Sequence, residues 1–137
     1  MSNSATLPYV RIPSPFPTFR PLLPIELRNG KHSVPEIGLV DSGSYTSVLP
    51  WPIGLNLGLN WNRLPSLPPA SGAFSKTPTR AALLEVAIAP FAPVRLVFAW
   101  IQRDDVPLIF GQTNFFLVFD VCTFGSQNTF QIQPRTP

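Results

Sequence analysis

The chain has 137 residues, a length that suits one domain with its own core and leaves little room for a second. Hydrophobic residues make up 45% and charged residues only 12%, which argues against wholesale disorder and suggests a surface partly covered by a partner, most simply a second copy. The net charge of +3 comes from 10 basic and 7 acidic residues scattered without a stripe, so nucleic-acid binding is not expected.

In chain order, residues 1–20 form a distinct segment with Pro8, Pro13, Pro15 and Pro17 among polar and aromatic residues. Proline fixes φ and removes an amide donor, so an extended arm is expected here, and residues 21–137 make up the folded domain. Leu22 to Arg28 reads as a strand, Asn29-Gly30 signals a tight hairpin, and a return strand is expected from His32 to Val40. Trp51 to Leu64 has room for a short helix. Residues 65–79 read as a loop or hairpin rich in Pro, Ser, Gly and Thr. Strands are expected at 80–89 and 93–101, then an apolar segment Val106 to Gly111, one or two helical turns over Gln112 to Leu117, and final strands near 118–124 and 128–133. Many short strands with frequent turns and hardly any helix predict an all-β domain.

The chemistry-bearing residues are few. His32 is the only histidine and sits beside the hairpin turn, where exposure is expected. Cys122 is the only cysteine, in Val118-Phe119-Asp120-Val121-Cys122-Thr123-Phe124, and is expected to be a buried strand thiol. No disulfide can form within the chain, and neither a metal-ligand cluster nor a Ser-His or Cys-His pair stands out. The glycines do not follow a phosphate-loop or dinucleotide spacing, so no metal and no cofactor is expected. The N-terminus lacks a basic stretch followed by an apolar core, and no apolar run is long enough to cross a bilayer, so the expectation is a soluble, cytoplasmic protein without a membrane partner. Trp51, Trp61 and Trp100 are expected to be structural, and Phe110, Phe115, Phe116 and Phe119 to be core.

Asp41 is the informative acid. It follows the apolar strand end Ile37-Gly38-Leu39-Val40 and opens a Ser-Gly turn that leads into Ser47-Val48-Leu49. A surface turn rarely sits between two apolar runs, so a partly desolvated carboxylate is expected.

At this point the chain resembles the retropepsin-like aspartic proteases, from about Arg20 to Pro134. The family motif, two hydrophobic residues followed by Asp-Thr/Ser-Gly-Ala/Ser, is matched by Leu39-Val40-Asp41-Ser42-Gly43-Ser44. A second family element, two hydrophobic residues and a glycine before a short helix, is matched by Ile109-Phe110-Gly111 and the residues after it. The resemblance implies a closed or partly open β-barrel of the retropepsin type with one short C-terminal helix. It also implies a homodimer, because the chain offers only one Asp-Ser-Gly and the chemistry needs two carboxylates sharing a proton.

The resemblance further implies that Asp41, Ser42 and Gly43 form the catalytic motif, with Ser42 bonding across the dimer axis. Ser44, Tyr45, Thr46 and Ile109 would contact a peptide or protein substrate. A hydroxyl at Ser44 could donate to the carboxylate and favour its charged form. A hairpin flap would lie between about Leu67 and Arg80, with Ser71, Gly72, Ala73 and Phe74 at its tip. Two departures bear on specificity: Tyr45 and Thr46 stand where many retroviral members carry acidic residues, and Gln112 replaces a frequent Arg or Lys. The expected activity is that of an aspartic endopeptidase; the alternative is a catalytically silent dimer of the same fold that binds peptides or assembles a complex.

Overall fold

The computed structural model describes residues 3–13, 15, 18–68 and 76–136. Eleven strands and two short helices are named along it: β1 (Ala5–Pro8), β2 (Val10–Ile12), β3 (Thr18–Arg20), β4 (Leu22–Asn29), β5 (His32–Val40), β6 (Val48–Leu49), α1 (Trp51–Asn56), β7 (Thr79–Ala87), β8 (Val94–Ile101), β9 (Leu108–Phe110), α2 (Phe115–Val118), β10 (Phe119–Phe124) and β11 (Thr129–Pro134). The fold is mostly β, and six strands close a barrel in the order β4-β5-β9-β6-β8-β7. No described helix is long and apolar enough to cross a membrane.

β4 and β5 form the predicted hairpin, paired from Leu22 with Leu39 to Asn29 with His32. The two-residue turn is Gly30-Lys31, one position beyond the expected centre, and only Gly30 takes a positive φ, +58°. A turn that needs φ > 0 only at its first central residue places the glycine there. Both strands contain a proline, Pro24 and Pro35, without breaking. Each lies where its strand has a single neighbour, since β7 reaches β4 only at Glu26–Arg28 and β9 reaches β5 only at Gly38–Val40. The missing amide therefore costs no ladder bond on the open side.

Alternation decides which side chains enter the barrel. Along β4 Leu23, Ile25 and Leu27 are buried, and along β7 and β8 Leu84, Val86, Leu96, Phe98 and Trp100 join them with Phe110 of β9. At one end of this core Trp51 stacks on Trp100 at 4.6 Å between ring centroids, and Trp61 meets both edge-on. α1 can approach this group because Gly54 has no side chain: a Cβ there would run into the Trp100 ring. The three tryptophans are therefore packing residues, as expected from the sequence.

The described residues before β4 pair with other strands. β1 pairs antiparallel with β11, which also pairs with β10, giving a three-stranded sheet β1-β11-β10. Leu7, Tyr9 and Ala5 lie against the main core beside the buried Phe130 and Ile132. β2 and β3 form a separate two-stranded ribbon.

Three expectations need correction. The helical turns expected over Gln112 to Leu117 amount to one, α2, which starts only at Phe115 because Asn114 takes a positive φ of 76°. Phe110, Phe115 and Phe119 are buried, whereas Phe116 is only half-buried. Cys122 lies in a strand as expected but is exposed, because alternation along β10 turns Phe119 and Val121 to the core and puts Asp120 and Cys122 on the opposite face.

Candidate active site

β9 threads between two strands that belong to one continuous stretch of chain. It runs parallel to β5, with Gly38 opposite Leu108 and Val40 opposite Phe110, and antiparallel to β6, where Val48 faces Ile109. The segment from Asp41 to Ser47, which joins β5 to β6, must therefore wrap around the end of β9. The Asp41 amide donates to the Phe110 carbonyl at 3.0 Å, extending the parallel pairing by one bond. Val40 points into the core and Asp41 follows it, so strand alternation sends the carboxylate to the outer face, the face of Ile109.

Asp41 is half-buried, and Ser42, Gly43 and Tyr45 are exposed. The Gly43 amide donates to Asp41 Oδ1 at 2.9 Å, and the Ser44 amide donates to the Asp41 carbonyl at 3.1 Å. The turn is thus closed by its own acid, which accepts at one carboxylate oxygen. A Cβ on Gly43 would lie 3.2 Å from Asp41 Oδ1, so the glycine also keeps space around the carboxylate.

The Ser44 hydroxyl does not do what was expected of it. It donates to the Thr46 carbonyl at 2.7 Å, and a hydroxyl has only one hydrogen to give. The bond on Asp41 comes from the Gly43 backbone instead. Ser44 therefore shapes the path of the turn and does not donate to the acid.

Gln112 and Thr113, just after β9, hold the turn from below. The Gln112 side-chain amide donates to the Ser42 carbonyl at 2.8 Å, and its backbone amide to the Ser44 carbonyl at 2.8 Å. Thr113 reaches the Tyr45 carbonyl with both its amide, at 2.8 Å, and its hydroxyl, at 2.7 Å. Gly111 fits against this segment because it has no side chain; a Cβ would collide with the Thr46 carbonyl group and lie 2.8 Å from the Ser44 carbonyl oxygen. Sequence reasoning missed Thr113 and treated Gln112 only as a departure. The signal that pointed to them was their place directly after Ile109-Phe110-Gly111.

Among the other residues expected at the site, Tyr45 is 77% exposed, while its carbonyl is fixed by Thr113. Thr46 is half-buried and accepts from Ser44 through its carbonyl. Ile109 is buried in a small apolar cluster with Val48 and Ile101, against which Val106 packs, on the opposite side of β9 from Phe110. Ser71, Gly72, Ala73 and Phe74 lie outside the described residues. The base of their segment is described: Ser66 bridges to Arg80, Leu67 donates to the Thr79 carbonyl, and Ala81 donates to the Pro65 carbonyl. Arg80 secures this base by donating to the carbonyls of Trp61 and Leu64, both at 2.9 Å, with its guanidinium 5.0 Å from the centre of the Trp61 ring.

Other acids are engaged elsewhere. Asp105 pairs with Arg103 at 2.6 Å, and that hydrogen bond holds its carboxyl below the usual range. Glu26 is lowered in the same way by Arg28. Asp120 lies 3.7 Å from Arg135. Among the described residues no three of His, Cys, Asp and Glu cluster so as to hold a metal ion. No protein-family model and no curated protein matches the chain.

Proposed function

We propose that this chain is an aspartic endopeptidase of the retropepsin type, active as a homodimer in which each copy contributes Asp41. The observation that carries the reading is the Asp41 turn itself: a half-buried carboxylate at the end of two parallel barrel strands, held at one oxygen by the Gly43 amide. Such an acid is fixed in direction yet open on one side, as a group that handles a water molecule must be.

The chemistry needs two acids. Like charges about 3 Å apart cannot both ionise, a relation general to aspartic proteases, so a symmetric pair of Asp41 side chains would share one proton. The ionised member takes a proton from water as the water oxygen bonds to the scissile carbonyl carbon. The neutral member donates to the carbonyl oxygen, stabilising the tetrahedral intermediate. Collapse then breaks the carbon–nitrogen bond, and the departing nitrogen takes up a proton from the pair.

The exposed Ser42 and Tyr45 flank the carboxylate where a second copy and an extended peptide would meet it. The test uses an unfolded protein substrate at about pH 3 to 7, the range in which a shared-proton pair works, with and without pepstatin. Cleavage that pepstatin blocks and that Asp41→Asn abolishes, with the dimer intact, supports the reading. Equal cleavage by both forms would falsify the assignment; a dimer that binds peptide without cutting it would leave a binding or assembly module of the same fold.

A further inference from the structure

We propose that Gln112 is the positioning residue of the Asp41 turn, acting through the peptide unit between Ser42 and Gly43; this rests on the aspartic-protease reading above. The Ser42 carbonyl and the Gly43 amide belong to one planar, trans peptide, so their directions are opposed and cannot be set independently. Gln112 Nε2 holds the carbonyl end at 2.8 Å, and the amide end donates to Asp41 Oδ1 at 2.9 Å. Rotation of this one plane would break both bonds together. Gln112 therefore fixes the direction of the amide that fixes the carboxylate.

The side chain matters here in a way the neighbouring backbone bonds do not. The Gln112 and Thr113 amides hold the carbonyls of Ser44 and Tyr45, on the far side of the turn, whatever side chains they carry. At the exposed tip, Ser42-Gly43, Gln112 supplies the hold on the carbonyl from a residue 70 positions away. Its amide carries no charge, so the hold neither titrates nor weakens as salt screens charges. It acts on Asp41 without touching substrate, which makes it a positioning group.

The test compares the full chain with Gln112→Met, similar in length but without a donor, and Gln112→Lys, which keeps a donor. Loss of one hydrogen bond's worth of orientation is expected to lower kcat about tenfold in Gln112→Met, with KM changed less than about twofold. Gln112→Lys recovers kcat to within about threefold of the original. Hydrogen exchange at the Gly43 amide reads the same hold without any catalysis: it is expected to quicken about tenfold in Gln112→Met and to return toward the original rate in Gln112→Lys. Unchanged Gly43 exchange in Gln112→Met overturns the proposal whatever the activity does. If the unmodified protein shows no cleavage that depends on Asp41, the protease reading falls, and Gly43 exchange still decides whether Gln112 holds the turn.

Discussion

The buried hydroxyl of Ser47 accepts a hydrogen bond from the backbone amide of Gly111 at 3.0 Å, tying the chain that leaves the Asp41 turn to the residue just after the threaded strand β9. The same hydroxyl lies 3.4 Å from the Thr113 carbonyl, to which it donates, and the Ser47 carbonyl accepts from Ala99 of β8. One fully buried serine thus satisfies three polar groups from two neighbouring segments. Replacing it with alanine leaves the Gly111 amide buried and unpaired, a loss of about 1–3 kcal/mol. Urea unfolding of Ser47→Ala should show that loss, and Gly111→Ala, whose methyl meets rigid backbone at Thr46, should lose about 2–3 kcal/mol by overpacking.

Gly54 offers a test in which local and tertiary effects have opposite signs. In an exposed helix, Gly→Ala adds about 1 kcal/mol of stability. In α1 the new methyl would strike the Trp100 ring, so Gly54→Ala should destabilise the protein. Trp100→Ala alone should cost about 3–5 kcal/mol. Combined with Trp100→Ala, the Gly54→Ala change should turn neutral or stabilising, and the coupling is read from thermal or urea melts of the four proteins.

Cys122 should react in the native state. It is exposed on the face of β10 turned away from the core, so a thiol reagent such as 5,5′-dithiobis(2-nitrobenzoate) should modify it completely without denaturant. The rate should match that of the unfolded protein to within about tenfold. Protection by several orders of magnitude would mean that this face is covered, and dilution of the protein would then show whether a second copy covers it.

Acid should weaken the Glu26–Arg28 pair. The folded Glu26 carboxyl lies below its ordinary value of 4.5, first through the Arg28 hydrogen bond and next through Ser33. A carboxyl lowered on folding stabilises the protein above its unfolded value and loses that contribution as pH falls through the folded one. Removing the partner by Arg28→Gln should therefore lower the melting temperature at pH 7 but much less near pH 3. Both side chains are exposed, so the difference at pH 7 should be small, about 1–2 °C.

The strands were legible because alternation and turn chemistry are local. β5 has the predicted bounds, and β4, β7, β8, β10 and β11 fall within two residues of theirs. The candidate acid was legible for a related reason: an Asp-Ser-Gly turn between two apolar runs is unusual in sequence alone. The partners of that turn were not. Ser47 read as the start of an apolar run, and nothing near it in sequence shows that its hydroxyl would meet Gly111, 64 residues on. Ser44 was expected to serve Asp41, yet the path of the backbone put the Thr46 carbonyl within its reach first. Cys122 sits in a run of largely apolar residues, and its exposure follows from the face it shares with Asp120, opposite Phe119 and Val121; which face would be covered was decided by how β10 packs on the core.

The sequence by itself determined an all-β chain, its main hairpin, and a single acid poised at a strand end, since each of these depends on residues within a few positions of one another. The tertiary structure decided that β9 passes between β5 and β6, and through that threading it decided which groups brace the turn around the acid: Gln112, Thr113 and Ser47. The reason is geometric. Contacts between segments separated by some 70 positions form only after the barrel closes, and no local pattern of polar and apolar residues encodes which backbone carbonyl a side chain will then face.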